Sequence, residues 1–233
     1  MSEAAPGDVH SRVLRVRERI AQATGRAGRK PEEVCLVAVS KLVEAGRVRE
    51  AVAAGITDLG ENYVQEAAAK REQVAGPVRW HLIGHLQSNK AAQAASIFDM
   101  VQTIDTPRLA RALGRQAQGT GRVLDVLLQV NTSGEGTKSG VAPKEVGRLL
   151  ESVMAVAGLR VRGLMTIGRW DPDPEQARPE FRLLAGLARD LERRFGLERM
   201  WLSMGMSHDF EVALEEGATL VRVGTGIFGP RAE

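Results

Sequence analysis

The stretch CLVAVSKLVEAGRVREAV, residues 35–52, joins a short apolar run to an amphipathic segment. The apolar residues up to Val39 are typical of a buried β-strand, whereas the Arg- and Glu-bearing segment from Ala45 is typical of a helix that exposes one face. Lys41 stands between them, directly after the predicted strand. A strand followed at once by a helix is the repeating unit of an α/β fold.

The unit recurs along all 233 residues. The predicted strands are Val34–Val39, Thr57–Gly60, Val78–Ile83, Met100–Thr103, Val123–Val130, Arg160–Met165, Met200–Leu202 and Leu220–Val223. The predicted helices are Val9–Arg26, Ala45–Ala54, Tyr63–Gln73, Lys90–Ile97, Pro107–Gln118, Pro143–Val156, Pro179–Phe195 and Asp209–Glu216. Eight alternating strands predict an α/β fold, a single (β/α)8 TIM barrel with an extra N-terminal helix. An open doubly wound sheet is the alternative, but it normally has a glycine-rich turn after its first strand, where this chain has Ser40-Lys41.

The composition narrows the classes of function. Lysine and arginine number 32 against 29 acidic residues, and the arginines are spread through helices, which argues against a nucleic-acid partner. The single cysteine, Cys35, excludes a disulfide within the chain. We find no signal peptide and no apolar stretch approaching about 18 residues, so we expect a cytoplasmic protein without a membrane partner. No linker divides the sequence, which predicts one domain over residues 1–233.

Polar residues follow the predicted strands and should meet at one mouth of the barrel, because parallel strands end on the same side. They are Lys41, Glu61, Asn62, His85, Asp105, Asn131, Thr166, Gly168, Ser203 to Ser207, Arg222, Gly224 and Thr225. A lysine amine at the edge of an apolar interior is partly desolvated, which frees its lone pair to attack an aldehyde. A solvated loop lysine is the alternative interpretation of Lys41.

Two segments near the end of the chain point to a phosphate site. LSMGMSHDF, residues 202–210, and RVGTGIFG, residues 222–229, follow or include the last two predicted strands. Glycine N–H groups and hydroxyls after these strands commonly bind phosphate in barrels, although they also serve simple turns. The candidates are Ser203, Gly205, Ser207, Gly224 and Thr225. His81 and His85 do not predict a metal site, because that spacing on a strand does not direct both rings at one ion.

Taken together, seven motifs resemble one known family. They are VAVSK, GENYVQE, WHLIGHLQSNK, VNTSGEGTKSG, GLMTIG, LSMGMSHDFEVAL and VRVGTGIFG, spread over nearly the whole chain. The sequence resembles the fold-type III barrel of the alanine racemase N-terminal domain. More closely, it is similar to the pyridoxal phosphate homeostasis proteins, the YggS/PROSC family. The resemblance implies pyridoxal 5′-phosphate (PLP) as cofactor, held as an aldimine on Lys41, and no metal.

The resemblance also implies roles for the other site residues. Ser203, Met204, Gly205, Ser207, Gly224 and Thr225 lie in the motifs that hold the phosphate. Arg222 matches an arginine placed against the pyridine nitrogen, and Asn62 would line the ring pocket. His85 stands where the family commonly has proline. Lys138 is a candidate for a second aldehyde-reactive lysine, with a solvated loop lysine as the default.

The family implies a function in intracellular PLP and vitamin B6 homeostasis, with transient delivery to PLP-dependent apo-enzymes by a monomer. Alanine racemases carry a second, β-rich domain with a tyrosine base, whereas the only tyrosine here is Tyr63. We therefore expect a protein that holds the cofactor, with no catalytic residues, rather than an enzyme. Two alternatives stay open: a PLP-dependent amino-acid racemase or isomerase, and an aldolase in which Lys41 attacks a sugar-phosphate carbonyl.

Overall fold

The computed structural model describes residues 8–136 and 138–230, and its eight parallel strands form a closed barrel in sequence order. The strands are β1 (Cys35–Val39), β2 (Asp58–Glu61), β3 (Arg79–Leu82), β4 (Met100–Ile104), β5 (Leu124–Gln129), β6 (Leu159–Met165), β7 (Trp201–Met206) and β8 (Leu220–Val223). Pairing of β1 with both β2 and β8 closes the barrel. The predicted α/β barrel is confirmed, and the open-sheet alternative is wrong because a closed sheet has no edge strand.

Nine helices surround the strands in the described part of the chain. They are α1 (Val9–Arg26), α2 (Ala45–Ala53), α3 (Val64–Gln73), α4 (Ala91–Ile97), α5 (Pro107–Gly119), α6 (Val146–Met154), α7 (Arg178–Phe195), α8 (Phe210–Glu215) and α9 (Thr225–Phe228). The eight predicted helices are present, with ends that differ by a few residues. The short α9 was not predicted, because four residues are too few to show a helical period.

Local sequence explains where several of these helices begin and end. The Thr106 side chain accepts a hydrogen bond from the Leu109 N–H at the start of α5, where Pro107 occupies the first turn. The Asp8 carboxylate accepts one from Ser11 N–H at the start of α1. Gly196 ends α7 in the left-handed conformation with a φ of 62°. The side-chain caps of Thr106 and Asp8 each contribute about 1 kcal/mol to helix stability.

The core has two apolar regions, because alternate strand residues face opposite sides of the barrel wall. Between the strands and the helices lies a large cluster that contains the buried rings of Trp80, Phe98 and Phe181. The barrel interior holds a smaller cluster formed by Val37, Met100, Leu127, Met165 and Leu220. Several buried polar side chains also lie inside the barrel, and these belong to the candidate site.

The predicted domain of residues 1–233 extends beyond the described residues at both ends and includes Thr137, so it stays a prediction. Of the helices described, none has the length and apolar character needed to cross a membrane.

Candidate functional site

Lys41 lies in the turn after β1 and is half-buried. In the closed barrel, β1 lies between β2 and β8. Lys41 follows β1, Asn62 follows β2 and Gly224 follows β8. The ends of β1 and β8 are in close contact, since a Cβ added at Gly224 would lie 3.4 Å from the Cβ of Val39. The structure therefore brings Lys41, Asn62 and Gly224 to one mouth, as the strand order predicts.

A buried ion cluster supports the backbone on both sides of Lys41. The Lys70 ammonium donates to the carbonyl of Ser40, to Oε1 of Glu61 at 2.8 Å and to Oε1 of Glu66 at 2.7 Å. The Ser40 hydroxyl donates to Oε1 of Glu61 at 2.6 Å. The sequence indicates Glu61 only as a residue at a strand end and gives no signal for Lys70, because only folding places α3 beneath the β1 turn.

The same cluster holds a strained residue. The N–H of Leu42 donates to Oε1 of Glu66 at 2.6 Å, and Leu42 has a φ of 59°, in the left-handed region that non-glycine residues rarely adopt. That conformation costs about 1–2 kcal/mol. Because Ser40 and Leu42 are both tied to the cluster, the backbone of Lys41 is fixed from each side.

The segment after β8 and the turn after β7 together form a cluster of hydrogen-bonding groups. The hydroxyl of Ser207 accepts from the N–H of Gly224 at 3.1 Å and from the N–H of Gly226 at 3.3 Å. Thr225, between the two glycines, is exposed. The Ser207 hydroxyl only accepts in these two bonds, so its own hydrogen can be donated to an anion such as phosphate beside Thr225. Gly226 was missed as a member of this cluster.

Two predicted cofactor residues have their side-chain positions directed away from the mouth. The side chain of Met204 is fully buried in the cluster between strands and helices. A Cβ at Gly205, whose φ is 88°, would lie 2.6 Å from the Cβ of Ala213 on α8. The structure thus gives Gly205 a packing role, and it leaves only the main chain of these two residues available to a ligand.

Arg222 lies inside the barrel, 3% exposed. Its NH1 donates to the hydroxyl of Ser203 at 2.6 Å and its NH2 donates to the carbonyl of Thr166 at 2.8 Å. Burial lowers the pKa of Arg222 to about 10, an effect that the charge of Asp209 opposes. The guanidinium therefore stays positively charged at neutral pH.

Ser203 differs from its predicted place among the phosphate-binding residues. Its hydroxyl is fully buried, and it donates to Oε1 of Gln102 at 2.6 Å while accepting from Arg222. A hydroxyl occupied on both sides inside the barrel has no free proton to donate to a phosphate at the mouth. Ser207, which reaches the N–H groups after β8, is the better placed of the two serines.

The remaining candidates lie around the rim of the same mouth. His85 is exposed, and its Nδ1 is 4.0 Å from Oδ2 of Asp105. Burial raises the pKa of Asp105 above its ordinary value. Lys138 is half-buried, with Nζ 3.1 Å from Oε1 of Glu135 and 3.2 Å from the carbonyl of Gly168. Over residues 8–136 and 138–230 we find no group of three His, Cys, Asp or Glu side chains arranged to hold a metal ion.

Comparison with known proteins gives concordant matches. Residues 13–232 match the family model described as the alanine racemase N-terminal domain. The pyridoxal phosphate homeostasis protein of Pseudomonas aeruginosa is 44% identical over 220 residues, which cover 94% of each chain. The structure of PipY from Synechococcus elongatus with PLP bound matches with a TM-score of 0.80 and 37% identity, over 90% of this chain and 100% of that chain. An alanine racemase from Clostridium difficile shares the fold, with a TM-score of 0.69 and 12% identity over 60% of its own chain.

Proposed function

Because this chain belongs to the family of pyridoxal phosphate homeostasis proteins, within the wider alanine racemase N-terminal domain family, we propose that it binds PLP and regulates its availability. The observation that carries the proposal is the arrangement of three kinds of group at one end of the barrel. Lys41 supplies an amine, Arg222 supplies a buried cation, and the Ser207 and Gly224–Gly226 cluster supplies hydrogen-bonding groups.

These groups match three polar parts of PLP: its aldehyde, its pyridine nitrogen and its phosphate. When bound, the cofactor supplies an aldehyde that a primary amine can capture reversibly. In this proposal the amine of Lys41 holds the aldehyde carbon, and the main chain from Gly224 to Gly226 holds the phosphate together with Ser207. Asn62, half-buried at the end of β2, lines the ring between them.

The proposed role of Arg222 favours holding the cofactor over catalysis. A guanidinium against the pyridine nitrogen keeps that nitrogen unprotonated, because two positive charges would repel. An unprotonated ring is a weaker electron sink, so the ring stabilises substrate carbanions poorly. Tyr63, the one tyrosine in the sequence, is 57% exposed just before α3 rather than enclosed over the mouth. We therefore assign a carrier function without catalytic residues and keep racemisation as an outcome for experiment.

The same proposal includes the cellular setting. We infer a cytoplasmic monomer that passes PLP to dependent apo-enzymes through brief encounters at the open mouth, and that has no nucleic-acid or membrane partner. The names of its relatives support a homeostatic function, and reversible capture by a lysine suits transfer.

The test begins with the purified protein and PLP. We expect an absorbance band of protein-bound cofactor, and we expect the cofactor to remain attached to Lys41 after borohydride reduction and peptide mass spectrometry. Lys41→Ala should abolish both signals, whereas Lys144→Ala, beside α6, should leave them unchanged. Attachment at Lys138 instead of Lys41, or a wild-type protein that cannot be loaded, would refute the proposal. Sustained racemisation of alanine or serine that depends on Lys41 would establish the enzyme alternative.

A further inference from the structure

A continuous chain of side-chain hydrogen bonds crosses the barrel interior below the mouth. From Arg222 NH1 it passes to Ser203 Oγ at 2.6 Å and on to Gln102 Oε1 at 2.6 Å. It continues from Gln102 Nε2 to Nδ1 of His81 at 2.9 Å, and from His81 Nε2 to Oδ1 of Asp58 at 2.8 Å. These five residues come from five different strands, β8, β7, β4, β3 and β2. We call this set the axial chain.

Every member of the axial chain is buried. Ser203, Gln102 and His81 are 0% exposed, Arg222 is 3% exposed and Asp58 is 7% exposed. Five polar side chains in an interior that also holds the apolar Met100, Leu127 and Leu220 are costly unless each is hydrogen-bonded. The observed bonds meet that requirement, and removing a central member would leave its neighbours unsatisfied.

The chemistry of the groups gives the axial chain one direction. A guanidinium can only donate, so the oxygen of Ser203 accepts from Arg222 and its hydrogen goes to the carbonyl oxygen of Gln102. The amide nitrogen of Gln102 then donates to Nδ1 of His81. His81 must therefore carry its proton on Nε2, which donates to Asp58. Each bond polarises the next in the same sense.

The two ends of the axial chain carry opposite charges. Burial raises the pKa of Asp58, but hydrogen bonds from His81 and Thr57 and the charge of Arg79 outweigh that effect and leave the pKa below its ordinary value. Asp58 is consequently an anion at neutral pH, and Arg222 is a cation. Asp58 also lines a cavity of about 780 Å³ that includes Cys35 and Trp201, at the ends of the strands opposite the mouth.

We propose that Ser203, Gln102, His81 and Asp58 are positioning residues, which fix the orientation of Arg222 toward the pyridine nitrogen of PLP and thereby set the electronic state of the bound cofactor. This inference rests on the proposed PLP function. According to this inference, residues on the far side of the barrel interior influence a cofactor that they do not touch. Arg222 has few alternative anchors, since its other described hydrogen bond is to the Thr166 carbonyl.

The first test uses the protein without cofactor, so it does not depend on PLP binding. Nitrogen-15 NMR of histidine-labelled protein should show His81 with a bare Nδ1 and a protonated Nε2. In Gln102→Glu the side chain keeps its shape, and its ionised carboxylate can only accept, so in that state Nδ1 of His81 should become protonated. Wild-type protein with the proton on Nδ1, or no change in Gln102→Glu at a pH where the introduced carboxyl is ionised, would overturn the axial chain.

The second test measures the bound cofactor. Gln102→Leu and Ser203→Ala should each shift its absorbance maximum and weaken PLP affinity about fivefold or more. Met100→Leu, a volume-conserving change in the same interior, should do neither. Gln102→Glu supplies the spectral comparison if Gln102→Leu does not fold. The double variant Gln102→Leu with Ser203→Ala should change affinity by less than the product of the single effects, because both interrupt one path.

The outcomes separate the two proposals. A wild-type protein that binds no PLP would overturn the proposed function, and with it the proposed coupling between the axial chain and the cofactor. The NMR experiment would still test whether the axial chain exists. Wild-type binding combined with Gln102→Leu and Ser203→Ala spectra identical to that of Met100→Leu would overturn the coupling alone.

Discussion

Replacing Lys70 with methionine probes the ion cluster that supports Lys41. The side chain of Lys70 is 7% exposed and that of Glu61 is 0% exposed, with 2.8 Å between Nζ and Oε1. Without Lys70, the carboxylate of Glu61 would keep only the hydroxyl of Ser40, because its Oε2 has no hydrogen-bond partner among the described residues. Removing one partner of such a buried pair costs about 3–5 kcal/mol, so we expect Lys70→Met to lower the free energy of unfolding by that amount at pH 7.

The same reasoning predicts how the stability of Lys70→Met depends on pH. Burial raises the pKa of Glu61, although Lys70 and Ser40 oppose the rise. Loss of Lys70 should raise this pKa further, so the folded variant takes up a proton more readily than the unfolded chain. Its stability is then favoured at acid pH and lost as pH rises through the raised pKa. We expect the deficit of Lys70→Met relative to wild type to be smaller at pH 5 than at pH 7.

Urea unfolding followed by circular dichroism at both pH values measures this effect. The double variant Lys70→Met with Glu61→Gln removes the unpaired charge and should recover more than half of the lost stability. Arg193→Ala is the control, because its ion pair with Asp190 is exposed on both sides and should contribute less than about 1 kcal/mol. A loss below about 1 kcal/mol in Lys70→Met, or no recovery in the double variant, would refute the reasoning.

Three further predictions concern the mouth and the interior. Ser207→Ala removes the hydroxyl hydrogen available to the phosphate, together with the oxygen that holds the N–H groups of Gly224 and Gly226, and a PLP titration should show affinity about five- to tenfold lower; unchanged affinity would exclude Ser207 from the proposed phosphate site. Gly205→Ala places a Cβ 2.6 Å from that of Ala213 at a φ of 88°, so thermal unfolding should reveal a loss of about 1–3 kcal/mol, and a wild-type midpoint would contradict this packing role. Burial raises the pKa of the Cys35 thiol, so a thiol reagent at pH 8 should label the folded protein at least about tenfold more slowly than the protein in urea; equal rates would show that the thiolate is accessible.

Much of the architecture can be predicted from local sequence. Strand and helix periods differ, so CLVAV followed by a helical pattern at Ala45 identifies one βα unit, and eight such units predict a barrel. The strand ends then identify the residues that share the mouth, which is why Lys41, Asn62 and Gly224 were found together. The end of β7 at Met206 rather than Leu202 was missed, because small and polar residues interrupt the apolar run.

The positions of individual side chains depended on the closed barrel. The alternation of a strand shows that Ser203 and Met204 face opposite sides, but local sequence does not show which side is the interior. Closure and register decide that Ser203 meets Gln102 across the barrel and that Met204 packs under the helices.

Sequence therefore determines the order of elements and the end of the barrel at which the polar residues gather, because both follow from local periodicity. Tertiary structure alone decides which buried polar groups meet: Lys70 with Glu61, and Arg222 with Asp58 through three intermediates. The physical reason is that each hydrogen bond needs its two atoms about 3 Å apart, and that distance is set by how the closed strands and α3 pack together rather than by local sequence.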